Sequence, residues 1–232
     1  MAGDEKGAAR RRVGTVSCPV CRGPAAEHFL RVEARDYWRC SDCQARFLDP
    51  GQLPQREDEL SHYLQHDNDP DDPGYRGFLA KLADPLLERL GPGRCGLDYG
   101  CGPGPALATM LREAGHSVAL YDPFFHPDPA PLQRTYDFIA CSETAEHFHD
   151  PAREFDCLDC LLRPGGWLAV MTCFQRDDAR FADWHYRRDP THVVFYREAT
   201  FRRIAAQREW ACEIPVKDVA LMRKSGKSAG RR

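Results

Sequence analysis

Three glycines at alternate positions, Gly100, Gly102 and Gly104, stand between a short apolar run ending at Asp98 and a helical pattern that Pro105 can open. Without a Cβ, such residues let the backbone turn left-handed and let a ligand approach closely. A dinucleotide loop of the GxGxxG type would need its third glycine at position 105, which is proline, so the string is GxGxG with acidic residues at Asp98 and, after the next strand, Asp122. A second constellation, Cys18-x2-Cys21-x18-Cys40-x2-Cys43, has the spacing of a four-thiolate zinc site. Four thiolates leave zinc no open position, so that role is structural. Histidines 147, 185 and 192 are the candidate general bases, since an imidazole is a neutral acceptor near cellular pH. Nothing in their spacing demands a metal.

These residues need a scaffold. Apolar positions from Phe78 to Leu90 recur at helical spacing up to Gly91-Pro92-Gly93. The pattern then alternates: a strand ending at Asp98, a helix from Pro105 to Ala114, a strand from Ser117 to Tyr121, a strand around Phe138 to Ser142, and a helix from Pro151 to Leu162. A turn at Arg163-Pro164-Gly165-Gly166 leads to a strand from Trp167 to Thr172, a helix from Glu198 to Arg208, and β-like runs from Ala211 to Val216 and Val219 to Arg223. Alternation of this kind implies an α/β fold with helices on both faces of a largely parallel sheet.

The 232 residues suffice for one main domain and a small unit. The expected division is a polar tail over 1–14, a four-cysteine ribbon-like unit over 15–50, a linking segment over 51–77 that could cover the site, a main domain over 78–224 and a polar tail over 225–232. The first fifty residues carry 9 Lys+Arg against 7 Asp+Glu and the remainder 23 against 28, so neither part is a polyanion-binding surface on charge alone. No apolar run is long enough for a membrane span and the start lacks an apolar signal core, which points to the cytoplasm and no membrane partner. Eleven cysteines without an export signal argue for metal ligation or reduced thiols. Cys157 and Cys160, on a helix with Phe155, Leu158, Leu161 and Leu162, are expected to pack, as are Cys95, Cys101, Cys141, Cys173 and Cys212.

Asp98 through Gly104 resembles motif I of class I S-adenosylmethionine-dependent methyltransferases, and Tyr136 to Ile139, Glu143 to His147 and Leu162 to Gly166 resemble later motifs of that family, especially its small-molecule branch with the quinone-biosynthesis enzymes. The resemblance covers about residues 75 to 224. It implies a Rossmann-like doubly wound, mostly parallel sheet with an antiparallel C-terminal strand, preceded here by the zinc-binding unit. It also implies a cofactor pocket built from Asp98, Gly100, Cys101, Gly102, Gly104, Asp122, Pro123, Phe124, Ser142 and Glu143, with Tyr75 reaching in from the preceding segment. The loop would meet the amino-acid part of S-adenosylmethionine and Asp122 the ribose, and S-adenosylhomocysteine would be the product.

The sequence departs from the family between Asp122 and Asp137, where fourteen residues with four prolines leave little room for a helix and a third strand. That strand is expected to be very short or missing, leaving Phe124 or Phe125 to wall the adenine. The acceptor is expected to be a small molecule, with Trp184, Tyr186, Phe195 and Tyr196 shaping its pocket. Two alternatives remain open at this point. One is methylation of ribosomal or transfer RNA, using Arg22, Arg31, Arg35, Arg39 and Arg46 with Tyr37 and Trp38 for stacking; the other is a non-catalytic module that only binds the cofactor. Oligomeric state is not legible.

Overall fold

The computed structural model describes residues 16–24, 26–65 and 68–226. The expected tail over 1–14, most of that over 225–232, and His66 of the linking segment lie outside the described residues.

Among the described residues three strands come first: β1 (Ala26–Val32), β2 (Arg35–Cys40) and β3 (Arg46–Leu48). Helix α1 (Arg56–Tyr63) follows, then α2 (Pro73–Leu87), whose first turn is capped by the Asp72 carboxylate accepting from the Gly74 and Tyr75 amides. Next come β4 (Cys95–Tyr99), α3 (Ala106–Glu113), β5 (Ser117–Tyr121), β6 (Tyr136–Ser142), α4 (Pro151–Leu161) and β7 (Leu162–Met171). The last described elements are β8 (Val194–Phe195), α5 (Glu198–Gln207), β9 (Ala211–Glu213) and β10 (Val219–Arg223).

The main sheet runs β5-β4-β6-β7-β10-β9. Its first four strands are mutually parallel, and β10 is antiparallel to both β7 and β9. Period-two alternation divides its side chains between two layers. Phe138, Ala140, Ala169, Met171, Val219 and Leu221 pack with Leu82 and Leu86 of α2 and Leu107 and Leu111 of α3. Their neighbours Ile139, Cys141, Leu168, Val170, Ala220 and Met222 pack on the opposite side with Phe155, Leu158, Phe201 and Ile204 of α4 and α5.

Between β5 and β6 the described residues form no strand. Asp122 and His126 exchange backbone hydrogen bonds at 3.1 and 3.0 Å, and a 3-10 turn spans Ala130–Gln133, so the sheet ends at β5. The expected turn at Arg163 to Gly166 is instead the start of β7: Gly165 donates to the Lys224 carbonyl and Lys224 to the Gly166 carbonyl, at 3.1 and 3.0 Å, which draws that stretch into the sheet. The run expected to reach Val216 is a strand only as far as Glu213.

A second sheet, β1-β2-β3-β8, joins the cysteine-bearing segment to the main fold. Phe47 pairs with Val194 and Arg46 with Phe195, and the Leu48 amide donates to the Val193 carbonyl at 2.8 Å. Tyr37, Phe47, Phe181 and Phe195 share one core with α4 and α5. Two further bonds fasten the first cysteine knuckle, Ala152 amide to Pro19 carbonyl at 2.9 Å and the Gln207 side chain to the Cys21 carbonyl at 3.0 Å. Among the described residues no helix is long and apolar enough to cross a membrane.

Gly96 in β4 is a point of close approach, since a Cβ there would lie 2.1 Å from the fully buried Phe138 ring. Gly96→Ala is therefore expected to destabilise the fold by about 1–3 kcal/mol, measured by denaturant unfolding; unchanged stability would mean that this contact is loose.

Candidate functional site

The glycine loop is held open by backbone conformation and by neighbours that a side chain would strike. Gly100 (φ +78°) and Gly102 (φ +65°) are left-handed, a region costly for most residues. A Cβ on Gly100 would lie 2.1 Å from the Thr144 side chain, and one on Gly104 would lie 1.8 Å from the Asn68 carbonyl oxygen. The segment before α2 thus rests directly on the loop.

Asp122 fastens the other side. Its carboxylate accepts from the Gly102 amide at 3.0 Å and from the Phe124 and Phe125 amides at 2.8 and 3.0 Å. It therefore caps the turn after β5 while joining that turn to the loop. A carboxylate offers about four acceptor positions, so capacity remains for a ligand hydroxyl. Asp98 is buried beneath, and burial raises its carboxyl from the usual 3.8 to about 7, against the Ala108 amide and the Arg112 charge.

These residues wall a cavity of about 620 Å³. Every position expected to meet the cofactor lines it: Asp98, Gly100, Cys101, Gly102, Gly104, Asp122, Pro123, Phe124, Ser142, Glu143 and Tyr75. Burial, with Asp98 and Glu143 nearby, pushes the Tyr75 phenol up to about 12. His147 and His192 line the same cavity, their ring centroids 4.7 Å apart. Burial holds His147 below the ordinary imidazole range, and burial with the Glu146 charge raises Glu143 to about 9.

Several expectations are corrected. His185 is exposed and absent from the cavity wall, because the short 3-10 turn His185–Arg188 turns it outward. Phe195 and Tyr196 are core residues, and Tyr186 is buried, hydrogen-bonding Thr172 at 2.9 Å and the Glu146 carboxylate, so they do not shape an acceptor pocket. Cys160 is exposed, the helix carrying it past the packed face of α4. Tyr37 and Trp38, invoked for stacking on RNA, are buried, and Arg46 is buried against Asp178 at 2.7 Å, so these three side chains are not available as expected, while Arg22 and Arg31 are exposed.

Residues 74–213 match the family model described as Methyltransferase domain. The chain belongs to this family. It is an S-adenosylmethionine-dependent methyltransferase. No curated protein sequence matches it. Among solved structures it is similar to the 1,6-didemethyltoxoflavin-N1-methyltransferase of Burkholderia thailandensis, at 17% identity and a TM-score of 0.53, over 81% of this chain and 98% of the other. Another, the magnesium protoporphyrin IX methyltransferase of Synechocystis PCC 6803, has 15% identity and a TM-score of 0.49, over 66% of this chain and 84% of the other.

The methyltransferase also recruits cavity residues that periodicity did not single out. Arg56, Glu59 and Tyr63 of α1 line the cavity. The Arg56 guanidinium lies 4.2 Å from the Phe124 ring centroid, and Tyr63 meets Phe124 and His147 edge-on, each at 5.2 Å. Their i, i+3, i+7 spacing marks one helical face, a signal masked by the helix's polar character. Glu146 is another omission, for which Glu143-x-x-Glu146-His147 was the available cue, and His149 and Glu154 line the cavity as well.

Cys18, Cys21, Cys40 and Cys43 are buried, with sulfurs all within 4.8 Å of one another. The Cys18–Cys43 and Cys21–Cys40 sulfur separations are both 3.6 Å, far beyond a disulfide bond. They approach the edge of about 3.8 Å that Zn–S bonds of about 2.3 Å give a tetrahedron. The cluster can coordinate a metal.

Because the native state holds the Asp98 proton more tightly than an unfolded chain would, this group's contribution to ligand-free stability falls as pH rises from the usual 3.8 towards about 7. Asp98→Asn is expected to raise the melting temperature relative to the parent by roughly 5 °C more at pH 8 than at pH 5, read by calorimetry. A difference independent of pH would contradict a protonated, buried Asp98.

Proposed function

We propose that this methyltransferase transfers a methyl group from S-adenosylmethionine to a small organic acceptor by in-line displacement. The observation that carries the reading is the shared cavity: about 620 Å³, with the glycine loop, Asp98 and Asp122 in one wall and His147 and His192 in another part of it. That volume falls within the range of roughly 300–1,000 Å³ usual for small-molecule sites. The similar Burkholderia thailandensis enzyme holds 1,6-didemethyltoxoflavin together with S-adenosylhomocysteine, which agrees with this acceptor class.

In this reading Gly100, Cys101, Gly102 and Gly104 receive the amino-acid end of the cofactor above Asp98. Asp122 accepts the ribose hydroxyls, Pro123 and Phe124 face the adenine, and Tyr75, Ser142 and Glu143 complete the wall. The acceptor enters beside His147 and His192. Its nucleophilic atom forms a bond to the methyl carbon as the carbon–sulfur bond breaks, the electron pair returning to sulfur and leaving neutral S-adenosylhomocysteine. No covalent enzyme intermediate is needed; the rate comes from holding the two atoms about 3 Å apart and aligned. We also infer that the four cysteines hold a structural zinc ion.

Asp122→Ala is expected to weaken S-adenosylhomocysteine binding at least about tenfold in calorimetric titration, and unchanged affinity would remove the ribose assignment. Methyl-labelled S-adenosylmethionine supplied with fractionated cell extract is expected to mark the metabolite fraction. Label confined to RNA or protein would overturn the small-molecule reading.

A further inference from the structure

One group of side chains in the cavity has a geometry that simple methyl transfer leaves unused. Ligand atoms of Glu146, His147 and His192 all lie within 4.8 Å of one another. Both rings are tied back through Nδ1: His147 to the Thr191 carbonyl at 3.1 Å, His192 to the Tyr186 carbonyl at 2.7 Å. A carbonyl only accepts, so Nδ1 carries the proton in each ring, and each neutral imidazole keeps its lone pair on Nε2. Glu146 is fully buried; its Oε1 accepts from the Tyr186 hydroxyl, while its Oε2 has no hydrogen-bond partner among the described residues.

A buried carboxylate oxygen without a donor is costly, and native structures rarely leave one so. One carboxylate oxygen of Glu146 and one ring nitrogen of each histidine lie within 4.8 Å of one another, and the Asp189 carboxylate stands 3.7 Å from His192 Nε2. Carboxylate charge and imidazole nitrogens thus gather at one buried point, an arrangement that a cation satisfies. The backbone carbonyls on Nδ1 and the Tyr186 hydroxyl on Oε1 are the outer contacts that orient metal ligands.

We propose that Glu146, His147 and His192 bind a divalent first-row cation, and that the methyl acceptor coordinates it through a hydroxyl oxygen. Two imidazoles and one carboxylate suit Mn²⁺, Co²⁺ or Zn²⁺ and leave coordination positions open. Glu143, just before that turn, has its Oε2 3.2 Å from the Tyr186 hydroxyl oxygen and is the next oxygen donor available. The cation lowers the pKa of the bound hydroxyl, so the two histidines act as ligands rather than as bases. The hydroxyl proton passes to water and the oxygen forms its bond to the methyl carbon. The carbon–sulfur pair goes to sulfur, so that a methyl ether, S-adenosylhomocysteine and one proton account for all atoms and charge. The acceptor assignment rests on the methyl-transfer reading; the metal site does not.

The test titrates Mn²⁺ alone into the full chain with its cysteine-bound metal retained, following loss of the free-ion electron paramagnetic resonance signal. One Mn²⁺ per chain is expected, with at least tenfold weaker binding in Glu146→Gln and in His192→Asn. Near-ultraviolet circular dichroism and S-adenosylhomocysteine affinity check that each variant is folded, and the isosteric Glu146→Gln carries the test where His192→Asn is not. Failure of the parent protein to bind Mn²⁺, Co²⁺ or Zn²⁺ beyond the cysteine-bound ion, or variants that bind as it does, would overturn the site. S-adenosylhomocysteine binding is also read on the parent protein, where its absence counts against the methyl-transfer reading separately. With Co²⁺ in the site, added catechol is expected to shift the visible bands; unshifted bands would overturn hydroxyl coordination.

Discussion

Val193 is bonded on both sides of its backbone: its carbonyl accepts from the Leu48 amide of β3 at 2.8 Å, and its amide donates to the Glu146 carbonyl at 2.9 Å. One buried residue therefore links the cysteine-bearing sheet to the turn that carries Glu146 and His147, and its predecessor is His192. Each such bond contributes only about 1 kcal/mol net, but leaving a buried amide or carbonyl unpaired costs about 1–3 kcal/mol. The link is cheap to keep and expensive to break. The position of His192 beside His147 follows from it, and so does the shape of that end of the cavity.

The N-terminal sheet in this sense braces the site from behind, although none of its strands lines the cavity. Arg46, buried at its centre, reaches the Asp178 carboxylate, which also takes Arg197 from the entrance to α5. Phe181, Tyr37 and Phe195 close around the same point with ring centroids 5.1 to 6.0 Å apart. The opposite end of the cavity depends on different physics. Left-handed glycines and the triply bonded Asp122 carboxylate define the loop, and neither needs the cysteine unit. The two ends meet over Thr144, whose hydroxyl donates to the Gly100 carbonyl at 3.1 Å.

What was legible in the sequence divides along the same line. Gly100, Gly102, Gly104, Asp98 and Asp122 announce themselves because backbone conformation and capping select residue types locally, and all five line the cavity. Within the main domain the order from β4 to β7 and from α5 to β10 was readable from periodicity, whereas α1 and β8 were not, and the opening of β7, where Arg163 to Gly166 reads as a turn, is drawn into the sheet by Lys224. The missing third strand was foreshadowed by the prolines after Asp122. Long-range choices were not legible: nothing local to Val194 and Phe195 says that they pair with β3, and Tyr37, Trp38 and Arg46 read as a surface only until β8 and the segment around Asp178 cover them. His185 misled because alternation of aromatic and polar residues does not say which way a 3-10 turn faces. Glu146 stayed hidden because its importance lies in a missing hydrogen-bond partner, a property of the assembled cavity.

If the cysteine cluster holds one end of the site in place through Val193, amide hydrogen exchange on the full chain carrying Cys40→Ser will show it. Leu48, Val193 and Phe195 are expected to lose protection while the amides of β4 and the glycine loop keep theirs. Undiminished protection at Val193, or a uniform loss across both ends, would mean that the cluster and the site are not joined in this way.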